Sequence, residues 1–168
     1  MILPILTTPN PSLLQKAAPI QEITPEIRKL AQDMRETMHN AQGLGLAAPQ
    51  IGQSIALCTI ELRDEDTAEA IPFMTLVNPR ISWKSSRMVN YVEGCLSIPG
   101  WEGPVNRPDK VRVKALDLDH NEVIIEADGL LARILQHEID HLQGVLFTSY
   151  LSKKKLQPRP SPAYPTIP

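Results

Sequence analysis

Apolar residues at Ile27, Leu30, Ala31, Met34 and Met38 recur at helical spacing and predict an amphipathic helix. Thr24-Pro25-Glu26 marks its start: an N-capping hydroxyl, a proline at the first helical position and an acid in the first turn. The helix is expected to run to about His39, after which the Gly-rich stretch Gly43-Leu44-Gly45-Leu46-Ala47-Ala48-Pro49-Gln50 reads as a loop. β-Branched and apolar residues predict a strand over 55–62 and short strands over 74–77 and 81–83 around Asn78-Pro79. Alternation over 111–118 and 122–127, about a turn at Asp119-His120-Asn121, predicts a hairpin, so pairing is expected to be mostly antiparallel. Asp128 can cap a second helix from about residue 129 to 142, which Gly144 would terminate.

On that second helix Leu130, Ile134, His137 and His141 follow at spacings of four, three and four and share a face. The run His137-Glu138-Ile139-Asp140-His141 therefore offers two imidazoles to one metal ion beside an apolar wall. Glu138, turned about 100° from His137, stands beside such an ion and can take a proton from water. Zn²⁺ needs a third protein ligand in such hydrolases. Residues 142–168 contain no Asp, Glu, His or Cys, and Phe147 stands where the longer H-E-x-x-H-x-x-G-x-x-H pattern has its last histidine. The third ligand must come from upstream, and thiolates are the strongest donors there. Cys58 lies in an alternating strand and reads as core. Cys95, after Gly94 at an expected sharp turn, is the better ligand, with His39, His120 and upstream carboxylates as weaker candidates. The glycines near residue 45 would let a peptide approach the backbone, and the Gln50 amide could donate to a developing oxyanion.

The 168 residues, 42% hydrophobic and 21% charged, suit one domain with a sizeable core. A formal charge of −2 argues against holding nucleic acid or anionic membrane by bulk electrostatics, and no direct sequence-specific nucleic-acid binding is expected. Two cysteines and no basic-then-apolar N-terminus point to a reducing cytoplasm. No apolar run nears the roughly 18 residues of a membrane span, so a soluble protein is expected. Asp64, Glu65, Asp66 and Glu69 read as a solvated loop. Pro158, Pro160, Pro162, Pro165 and Pro168 rule out a regular helix at the end, giving an expected catalytic unit over 1–151 and an extended or mobile tail over 152–168.

Three segments, Gly43-Leu44-Gly45-Leu46-Ala47-Ala48-Pro49-Gln50, Glu93-Gly94-Cys95-Leu96-Ser97 and Gln136-His137-Glu138-Ile139-Asp140-His141, together resemble those of bacterial and organellar peptide deformylases over about residues 1 to 150. The resemblance implies an α+β fold with antiparallel β-sheets wrapped around a central metal-binding helix. It implies hydrolysis of the formyl group from the N-terminal formyl-methionine of newly synthesised polypeptides, acting on the nascent peptide, with the ribosome near the exit tunnel as a partner. Carried over position by position, Cys95, His137 and His141 bind the metal and Glu138 is the acid/base. Gln50 and the backbone N–H of Leu96 stabilise the oxyanion, and Gly45 offers backbone hydrogen bonds to the substrate. The apolar residues Leu44, Leu130 and Ile134 would then receive the methionine side chain. Fe²⁺ is the implied ion, with Zn²⁺, Ni²⁺ or Co²⁺ able to substitute. Arg107 matches a common arginine and can pair with Glu93, for which the plainest reading is a surface pair worth little. Two positions depart from the pattern: Glu102 stands where many members carry an arginine near the substrate entrance, and the Pro-rich end replaces a regular C-terminal element. A metallopeptidase or amidase acting on other substrates, and a noncatalytic binding protein, are the competing readings.

Overall fold

Helix α1 spans Pro25–Asn40, with the Thr24 hydroxyl accepting from the Ile27 N–H as its N-cap. In this computed structural model, which describes residues 1–63 and 70–159, eight strands follow. They are β1 (Gly45–Ala47), β2 (Leu57–Leu62), β3 (Ile71–Lys84), β4 (Met88–Cys95), β5 (Ile98–Pro108), β6 (Lys110–Leu116), β7 (Glu122–Asp128) and β8 (Gln157–Pro158), with helix α2 (Gly129–Leu142) between the last two. Antiparallel pairing builds a five-stranded sheet in the order β1-β2-β3-β6-β7 and a three-stranded sheet in the order β4-β5-β8.

Helix α2 lies between the sheets. Its apolar side, with Ile134, Leu135 and Ile139, packs against Ala47, Cys58, Ile60 and Val113 of the larger sheet. A second cluster seats Met34 and Met38 of α1 on Leu46, Leu57 and Val77. A third gathers Cys95, Ile98 and Val105 of the β4–β5 hairpin around Leu13, Leu146 and Phe147. The α+β arrangement of antiparallel sheets around a central helix is thus the observed one.

Several local expectations are corrected. The stretch expected to be a loop holds β1 and a 3-10 turn over Ala48–Ile51, because Leu46, Ala47 and Ala48 are all buried and must pair their backbone. The two short strands around Asn78-Pro79 are one strand, β3, whose pairing slips between Val77 and Arg80, where Asn78 has φ 51° and Pro79 brings no N–H. Asp128 occupies the N-cap position of α2 without a side-chain capping bond; its carboxylate lies 3.6 Å from Lys110 Nζ instead. Gly94 pairs with Glu102 inside the hairpin, and the turn falls on Leu96 and Ser97. Gly144 does close α2: it has φ 73°, and a Cβ there would overlap the Leu14 carbonyl. The acidic positions 64–66 and 69, and the prolines from 160 onward, lie outside the described residues.

Candidate metal centre

Cys95 ends β4, while His137 and His141 stand one turn apart on α2, so the hairpin and the helix each bring donors to one point. The three ligand atoms lie within 4.8 Å of one another, and all three residues are buried. Cys95 Sγ is 3.3 Å from His141 Nε2, which is 3.3 Å from His137 Nε2. Hydrogen bonding fixes which nitrogen His137 presents. Its Nδ1 lies 3.0 Å from Glu93 Oε2 and donates there, which directs Nε2 toward the Cys95 sulfur and the second histidine.

The supposed surface pair of Glu93 and Arg107 is a buried network. Arg107 donates to Glu93 through Nε at 2.6 Å and Nη2 at 3.0 Å, and to Asp140 through Nη1 at 2.8 Å. Arg133 adds a third bond to Glu93 at 2.7 Å, and the Tyr150 hydroxyl donates to Asp140 at 2.9 Å. Both side chains of the Glu93–Arg107 pair are 4% exposed. Burial opposes ionisation of Glu93, but hydrogen bonds and charge from His137 and Arg107 outweigh it and hold the carboxyl well below the usual carboxylate range.

Glu138 is the opposite case. It is fully buried, and neither carboxylate oxygen has a hydrogen-bond partner among the described residues. Burial pushes its pKa up from 4.5 to about 7. Strand β1 runs directly over it, for a Cβ on Gly45 would overlap the Glu138 carboxylate, so a larger residue there would displace the buried acid. Burial lowers the basicity of both histidines; for His137 bonds to Cys95 and Glu93 reverse this and raise it, whereas His141 stays well below its ordinary value. The His141 Nδ1 has no protein partner among the described residues.

Gln50 reaches the same centre from the 3-10 turn after β1. The Ala47 N–H donates to its Oε1 at 2.9 Å, which orients its Nε2 toward Cys95 Sγ at 3.6 Å and Ser97 Oγ at 3.1 Å. Leu96 sits in the adjacent turn. Leu44, Leu130 and Ile134 fall in one apolar cluster with Ala47 and Cys58. Cys58 is fully buried, and burial raises its pKa well above the ordinary thiol value, in keeping with its core assignment. Glu102 accepts from Gln157 Nε2 at 3.2 Å and lies 3.7 Å from Arg159 Nε, so the two departures from the motif pattern meet each other along β5 and β8.

The model of the polypeptide deformylase family matches residues 2–157. The chain belongs to that family. This deformylase is 48% identical over 152 residues to the peptide deformylase of Thermomicrobium roseum, covering 89% of this chain and 86% of the relative. The peptide deformylase of Rhodopseudomonas palustris strain BisB5 is 47% identical over 152 residues, with 90% and 86% covered. Among solved structures, the deformylase of Ehrlichia chaffeensis in complex with actinonin superimposes with a TM-score of 0.86 at 42% identity, covering 91% of this chain and 90% of that one. A class I type b deformylase from Acinetobacter baumannii bound to Met-Ala-Ser gives 0.86 at 35% identity, covering 90% and 99%. The deformylase is therefore a hydrolase of N-terminal processing that removes the formyl group from the N-terminus of nascent polypeptides, and the family is one of metalloenzymes. Sequence reasoning missed Arg133 and Ser97. The available signal for Arg133 was its position four residues before His137, on the same helix face.

Proposed function

We propose that Cys95, His137 and His141 hold one divalent ion and that Glu138 carries the protons of formyl hydrolysis. What supports this above all is a buried carboxylate without a protein partner beside three converging donor atoms. A thiolate and two imidazoles suit Fe²⁺, the ion assigned here, and also Zn²⁺, Ni²⁺ or Co²⁺. An ion of this kind supplies Lewis acidity toward water and the formyl carbonyl.

The chain's own groups do the rest. Glu138, buried beside the donor atoms, accepts a proton from the attacking water and returns it to the leaving α-amine. Gln50 Nε2 and the backbone N–H of Leu96 donate to the oxygen on which negative charge develops, with Ser97 and Ala47 holding the amide in place. Strands β1 and β4 stand at the ends of their sheets, so an extended peptide can hydrogen-bond to Gly45 as an added strand. Leu44, Leu130 and Ile134 receive the methionine side chain, whose burial is worth roughly 1.5–3 kcal/mol. The Met-Ala-Ser peptide on the Acinetobacter baumannii relative supports a formyl-methionyl peptide as substrate. Newly made chains emerge in the cytoplasm from the ribosomal exit tunnel, which is where this reading places the reaction. No helix among the described residues is long and apolar enough to cross a membrane.

The test is formate release from formyl-Met-Ala-Ser by protein purified without oxygen and loaded with Fe²⁺, against acetyl-Met-Ala-Ser. Turnover selective for the formyl group is expected. No turnover with metal demonstrably bound would overturn the reading.

A further inference from the structure

The elements that carry the donor atoms, β4 and α2, lie some 40 positions apart in sequence, and side-chain bonds between them hold the Cys95 end near the histidines. Arg133 spans that gap. It belongs to α2, four residues before His137, and its side chain is 7% exposed. Its Nη1 donates to Glu93 Oε1 at 2.7 Å and to the Val105 carbonyl of β5 at 2.9 Å, while Nη2 donates to the Val89 carbonyl of β4 at 2.9 Å. The same guanidinium lies 5.2 Å from the centre of the Tyr91 ring. One side chain of the helix thus grips both strands of the hairpin whose turn follows Cys95. Arg107 makes the reverse connection, from β5 to Asp140 of the helix.

We propose that Arg133 is a positioning residue that sets the distance between the Cys95 thiolate and the two histidines, and so governs how firmly this site retains a divalent ion. This rests on Cys95, His137 and His141 being the ligands. The planar guanidinium matters as much as its charge. It points separate N–H groups at a carboxylate and two carbonyls, an arrangement that the single ammonium of lysine does not reproduce. The hydrogen bonds of Arg133 go to Glu93 and two hairpin carbonyls and to none of Cys95, His137 and His141, so its effect falls on the geometry of the donors.

The probe is Co²⁺, with wild type, Arg133→Met and Arg133→Lys compared by chelator competition and by the sulfur-to-cobalt absorption band. Both variants are expected to release Co²⁺ about 10-fold faster or more, the range seen when groups supporting metal ligands are removed. Their sulfur-to-cobalt band should shift, and at saturating metal the KM for formyl-Met-Ala-Ser should remain close to that of wild type. Wild-type retention and an unshifted band in Arg133→Met would overturn the proposal. Restoration of both by Arg133→Lys would overturn it too, since charge on Glu93 would then suffice. If Arg133→Met does not fold, Arg133→Lys, which keeps the buried cation, decides alone. Failure of the ligand assignment itself reads differently: the wild-type protein would show no sulfur-to-cobalt band.

Discussion

Glu93 approaches His137 from the hairpin, while Glu138 faces β1 on the side of the larger sheet. Both are buried glutamates, and their protons behave in opposite ways. On the hairpin side two arginines and a histidine surround the carboxylate, which stays ionised and orients an imidazole. On the sheet side no protein donor among the described residues reaches the carboxylate, and burial, the largest of the influences on it, lifts it to about 7. The lesson is that burial does not assign a role. A carboxylate supplied with partners becomes scaffold, and one denied them is poised to exchange a proton at physiological pH.

The largest effect should come from removing the unpartnered acid. Glu138→Ala should keep its metal, measured by elemental analysis, yet lose about 10²–10⁴-fold in kcat/KM for formyl-Met-Ala-Ser. Turnover near wild type would erase the contrast. Next, Glu93→Ala should destabilise the fold by about 3–5 kcal/mol in urea unfolding, because it leaves Arg133 a buried cation without a carboxylate and Arg107 with Asp140 alone. A loss under about 1 kcal/mol would reduce the network to the weight of a surface pair.

A third measurement sharpens the comparison through pH. Metal-free Glu138 has a folded pKa above its unfolded value, so the unfolded chain releases that proton first and stability falls as pH rises from about 4.5 to about 7. Glu138→Gln removes this loss, and the displacement from 4.5 to about 7 corresponds to about 3 kcal/mol. The metal-free variant should therefore be more stable than wild type at pH 8, with the difference vanishing near pH 4.5. An equal difference at both pH values would mean that charge is not its cause. The smallest effect is expected at Glu102→Gln. The contact to Arg159 is long, at 3.7 Å, and glutamine keeps an oxygen to accept from Gln157, so unfolding free energy should change by less than about 1.5 kcal/mol.

What could be read from the chain in advance follows the same division. Helix α1 announces itself by its cap and apolar stripe, β2 by its β-branched and apolar content, the β6–β7 hairpin by alternation about a turn, and α2 by Leu130, Ile134, His137 and His141 sharing one face. The β4–β5 hairpin does not, since Glu93 and Arg107 occupy inward positions where alternation would call for apolar side chains. Strand β1 is three buried residues, too short for any period. The histidine pair and Glu138 were legible from spacing, and Cys95 by elimination and family likeness. The bonds of Arg133 join residues 40, 28 and 44 positions apart, and no local pattern encodes them.

Gly45 packs its backbone against the Glu138 carboxylate while standing on the outermost strand of its sheet. In the proposed reaction the strand that aligns an incoming chain and the group that handles the proton are therefore in direct contact. Alignment of that kind would rely on peptide amides, which every protein carries alike, rather than on the side chains that distinguish one protein from another. A catalyst working in the proposed way would be a generalist, selective for the chemistry at the first residue and tolerant of whatever message follows it.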